Sequence, residues 1–90
     1  MNINDFIEAV LLGREIEFSF SGNNYFLQTD YSTTDVDELS KEQYNLYLCP
    51  NHQKAIRICH GSINDILNYN FGSNKCLQQN FELFKVSCIL

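Results

Sequence analysis

The stretch CPNHQKAIRICH, residues 49–60, holds two of the four cysteines and both histidines of the chain. Cys49, His52, Cys59 and His60 are the ligand types of tetrahedral zinc, and Cys-x-x-His supplies half of such a site. Their spacing argues otherwise. YNLYLC and AIRIC both alternate in the manner of strands, so residues 44–59 read as a hairpin. Pairing Leu48 with Ile56 and Leu46 with Ile58 buries all four on one face and leaves Asn51, His52 and Gln53 in the loop. Cys49 then lies opposite Ala55 and Cys59 opposite Asn45, roughly 13 Å apart at about 3.3 Å per residue. One zinc ion cannot span that distance, and no metal site and no cofactor is expected.

Two other pairs invite catalytic readings. Cys59 beside His60 suggests a thiol and its base, but neighbouring strand residues point to opposite faces. Glu15 and Glu17 point the same way, roughly 7 Å apart, as a glycosidase pair would, yet alternating acids are also what a half-buried strand exposes. The sequence contains no glycine-rich phosphate loop, Gly-x-Ser-x-Gly or His-Glu-x-x-His. The chain is expected not to be an enzyme.

The elements that must position these residues follow from periodicity. INDFIEAVLLG places Ile3, Phe6, Ile7 and Val10 on one helical face, with Asn2 or Asn4 as N-cap and Gly13 as the end. In EIEFSFSGNNYFLQTD, Ile16, Phe18 and Phe20 alternate with Glu15, Glu17 and Ser19. With Gly22 and Asn23 as a type II′ turn, Phe20 faces Tyr25, Phe18 faces Leu27 and Ile16 faces Thr29. Residues 30–43 form an acidic polar connection carrying Asp30, Asp35, Asp37, Glu38 and Glu42, with no EF-hand glycine or closing glutamate. GSINDILNYNFG begins a second helix through the Ser62 and Asp65 capping pair. A third helix is expected with Ser73 as N-cap and Leu77 and Phe81 one turn apart. Phe84, Val86, Cys88 and Leu90 alternate as a closing strand, and core packing is the expected role of Cys76 and Cys88.

Behind the leading helix, GREIEFSFSGNNYFL at residues 13–27 resembles small uncharacterised cytosolic proteins of Gram-positive bacteria. The resemblance implies a helix followed by a hairpin, in a bacterial cytoplasm, and brings no activity or catalytic residue with it.

Ninety residues suit a single domain, residues 1–90, with a modest core. The order α-β-β-β-β-α-α-β gives an α+β fold, an antiparallel sheet of about five strands with helices on one face. Phe6, Ile7 and Val10, with Ile66, Leu67, Leu77 and Phe81, are expected to pack on Phe18, Leu27, Leu46, Ile58 and Val86. The longest early apolar run, residues 9–12, has no basic residue before it, so neither a signal peptide nor a membrane partner is expected. The cysteines are then free thiols in the cytoplasm.

The formal charge of −5 argues against nucleic acid and favours a basic protein partner. A polar sheet face bearing Glu15, Glu17, Phe26, Tyr47 and Arg57 is the mark of a contact patch. The expected function is therefore a non-catalytic protein–protein interaction module. Two alternatives stand beside it. One is an immunity-type or antitoxin-type neutraliser whose five acids at positions 30, 35, 37, 38 and 42 cover a basic site. The other is a metal-binding or thiol-redox domain. An open strand edge also admits a homodimer.

Overall fold

A computed structural model of the chain describes residues 1–31 and 42–90. The acids Asp35, Asp37 and Glu38 lie outside the described residues. The elements run α1 (Ile3–Leu11), β1 (Ile16–Phe20), β2 (Asn23–Thr29), β3 (Tyr44–Leu48), β4 (Ile56–Gly61), α2 (Ile63–Leu67), α3 (Leu77–Asn80), a 3-10 turn (Phe81–Leu83) and β5 (Lys85–Ile89). The fold is α+β. Among the described residues, five strands form one antiparallel sheet in the order β4-β3-β2-β1-β5.

Local chemistry sets the ends of the elements. The Asn2 side chain accepts from the Asp5 amide at 2.9 Å and so caps α1. At α2 the Ser62 hydroxyl accepts from the Asp65 amide at 3.3 Å while the Asp65 carboxylate accepts from the Ser62 amide at 2.9 Å, a complete capping box. The third helix departs from expectation. Ser73 and Asn74 hold left-handed turn conformations, and Cys76 is the N-cap, its amide donating to the Asn80 side chain at 3.1 Å.

Two hairpin registers and the alternation of the last strand also differ from expectation. The first hairpin turns on Ser21 and Gly22, both with positive φ, the type I′ geometry whose twist matches the strands. Phe18 therefore faces Tyr25 and Ile16 faces Leu27. The displacement is two residues, so each side chain keeps its face. In the second hairpin Leu48 faces Ile56 as expected, but a bulge then sets Cys59, not Ile58, opposite Leu46. Between β1 and β5 a bulge at Ser87 turns Ile89 toward Ile16 and leaves Cys88 opposite Glu17, breaking the expected alternation.

Phe18, Leu27, Leu46, Phe6, Val10, Ile66 and Leu77 are buried together, with Ile58, Val86, Ile7 and Phe81 packed against them. Aromatic rings fill much of this core. Phe71 meets Phe18, Tyr25 and Phe84 edge-on at 5.9, 4.9 and 5.0 Å between centroids. Ile56, expected inside, is 53% exposed because it opens an edge strand. The helices occupy the face of the sheet carrying this core. Among the described residues no helix covers the other face.

Candidate contact surface

The helix-free face is built by strand parity. Glu17 pairs with Phe26, Phe26 with Tyr47, and Tyr47 with Arg57, so one straight row crosses β1, β2, β3 and β4. Cys88 continues it onto β5. Directly opposed residues share a face and stand about 4.5–5.5 Å apart at Cβ, which makes the row a continuous surface. Four of the five expected patch residues are therefore neighbours. Glu15 precedes β1 and lies one row along, its carbonyl accepting from the Leu90 amide at 2.8 Å.

The centre of the row is aromatic. The Phe26 and Tyr47 rings lie 6.4 Å apart and are half-buried. Gln28 donates to the Tyr47 hydroxyl at 3.3 Å, and Arg57 donates to the Asn45 side chain at 3.4 Å. Asn45 is 5% exposed although it lies on the polar face, because Gln28 and His60 flank it across the ladders. A cleft of about 340 Å³ opens beside Phe26, lined by Glu17, Asn24, Cys49 and Ser87. These sites are both apolar and polar. Two rings flanked by opposite charges suit recognition of a protein surface.

No family model, curated protein or solved structure matches the chain.

The candidate metal residues are dispersed. Cys49 lies on the polar face, its amide bonded to the Asn24 carbonyl at 2.8 Å. His52 sits at the tip of the second hairpin with φ of 58°. The bulge turns Cys59 inward against the core, opposite Leu46 rather than Asn45. His60 instead takes the place opposite Asn45 and meets the Asp30 carboxylate at 2.9 Å. Among the described residues no three histidine, cysteine or acidic side chains cluster as a metal site. Burial first, and then Glu17, pushes the Cys49 thiol above its ordinary range. Burial and then Asp65 do the same to Cys59. Both effects hold the thiols neutral and poorly nucleophilic.

The two described ends of the acidic connection have internal partners. Asp30 meets His60, and Glu42 accepts from the Tyr44 hydroxyl at 2.8 Å. Tyr44 was not singled out by periodicity, yet it is fully buried. Burial foremost, then the bond to Glu42, raises its hydroxyl well above the ordinary tyrosine range.

Proposed function

We propose that this chain is a non-catalytic protein–protein interaction module of the bacterial cytoplasm, and that its contact surface is the helix-free sheet face. The observation that carries the reading is the row Glu17, Phe26, Tyr47 and Arg57, with two half-buried rings between opposite charges. Aromatic and arginine side chains are enriched where partners bind. The four free cysteines suit a reducing compartment, and among the described residues no helix is long and apolar enough to cross a membrane. The sequence resemblance to Gram-positive proteins supplies the bacterial setting.

The neutraliser alternative depends on acids free to meet a basic site, and Asp30 and Glu42 already hold His60 and Tyr44. The thiol-redox alternative depends on thiolates that the fold disfavours at Cys49 and Cys59. The sheet face is the better founded surface.

Native mass spectrometry of the untagged protein from its own cell tests the proposal. The expected spectrum contains a protein complex that Phe26→Asp with Tyr47→Asp reduces to the bare chain. A complex indifferent to both substitutions refutes it, as does a bare chain that also fails to self-associate at about 500 µM.

A further inference from the structure

The charge order along the row points to a specific occupant. Glu17 and Arg57 stand on β1 and β4, three strands apart, roughly 14 Å at about 4.8 Å per strand. They cannot reach each other within one chain. Among the described residues neither has an ion-pair partner, although Arg57 donates to Asn45. Phe26 and Tyr47 occupy the two middle positions.

Such a row is its own complement. A two-fold axis lying in the face, parallel to the strands and midway between β2 and β3, carries β1 of one copy over β4 of the other. Glu17 then meets Arg57, and Phe26 meets Tyr47, each contact occurring twice as an isologous interface requires. The adjacent row follows the same operation. Gln28 falls over Asn45, and Glu15 falls over His60. Strand directions stay aligned, the common geometry for two packed sheets.

We propose that the occupant of the helix-free face is a second copy of this chain, bound sheet to sheet about that axis. This rests on the contact-surface reading and names its partner. The sheet edges are less suited to the role, because bulges interrupt the ladders that carry both edge strands, β4 and β5. The flat area of the face is roughly 300–400 Å² per copy on strand spacings, below the ~800 Å² per partner of stable complexes. The dimer is accordingly a small and reversible one.

Sedimentation equilibrium of the full chain from about 5 to 500 µM reads this directly. The wild type should pass from monomer to dimer over that range. Glu17→Arg or Arg57→Glu alone places like charges opposite each other twice and should weaken association at least tenfold. The two substitutions together restore opposite charges and should return it to within about threefold of wild type. Glu17→Gln, a milder change at an exposed position, should fall between. A wild type that stays monomeric at 500 µM, single variants that dimerise normally, or a double swap that fails to rescue each overturn the proposal. A monomeric wild type that still carries a different protein through Phe26 and Tyr47 in the native spectrum overturns the homodimer alone. If that complex is missing too, the contact surface falls with it.

Discussion

Gly61→Ala is the most informative single perturbation of this fold. Gly61 ends β4 directly before the Ser62 cap of α2, and a methyl added there would lie 2.8 Å from the Asp65 Cβ and 2.9 Å from its Cγ. Ordinary carbon contacts are about 3.5–4.0 Å, so Asp65 must move by up to an ångström. That displacement breaks the reciprocal Ser62 and Asp65 bonds, at a cost of about 1 kcal/mol for the cap. Residual crowding adds about 1–3 kcal/mol. The reduced freedom of the unfolded chain returns about 0.4–1 kcal/mol. The net loss is about 2 kcal/mol, or roughly 8–16 °C in Tm for a domain of this size. Urea and thermal melts followed by circular dichroism measure it. The three nearest atoms to the added methyl all belong to Asp65. In an Asp65→Gly background the cap and the crowding are already gone, so Gly61→Ala should be neutral to stabilising, by up to about 1 kcal/mol. A Gly61→Ala loss below about 0.5 kcal/mol, or an equal loss in both backgrounds, refutes the close-approach argument.

Leu27→Ala removes a side chain with no solvent exposure from the middle strand and should cost about 2–5 kcal/mol by urea denaturation. Phe26→Asp with Tyr47→Asp should lower Tm by only a few degrees while abolishing association, since both rings lie on the helix-free face. Treatment with a chelator should leave Tm unchanged, given the dispersal of Cys49, His52, Cys59 and His60; a fall in Tm would contradict that geometry. Tyr44, Cys49 and Cys59 are acids whose folded pKa is raised, so the folded chain retains protons that the unfolded chain releases. Their contribution is complete below about pH 8 and is lost progressively as pH rises above the unfolded values near 9 and 10 toward the higher folded ones. Urea midpoints should fall between about pH 8 and 11, and Tyr44→Phe should flatten the later part of that decline.

Element order, helix faces and strand faces were legible because each rests on a short period. Ile16, Phe18 and Phe20 could face only one way, and the two-residue displacement of their hairpin left the buried set intact. Turn chemistry was less legible. Gly22 suits either turn type, and the positive φ of Ser21 decides between them. The bulges at Ile58 and Ser87 have no local signature, since neither residue type marks an extra unpaired position in a strand. They alone change which face Cys59 and Cys88 occupy. The shared face of Glu17, Phe26, Tyr47 and Arg57 was legible, since a two-residue displacement keeps each face and Tyr47 and Arg57 lie on the tip side of the bulge. Their alignment in one row was not, because the expected turn sets Glu17 opposite Gln28. The burial of Tyr44 follows from its parity with Leu46 and Leu48, but its bond to Glu42 and the close approach of Asp65 to Gly61 could not be found by periodicity.

The strand order β4-β3-β2-β1-β5 divides assembly in time. β1 to β4 are successive neighbours, so each can close on the strand made just before it. β5 must instead return across the whole meander to reach β1, bringing Phe84 back against Phe18. Closing that long loop is entropically slow, and a growing chain completes four strands before the fifth exists. Until then Ile16 and Phe18 lie on an unpaired margin, which makes nascent and refolding chains the species most prone to stick to one another.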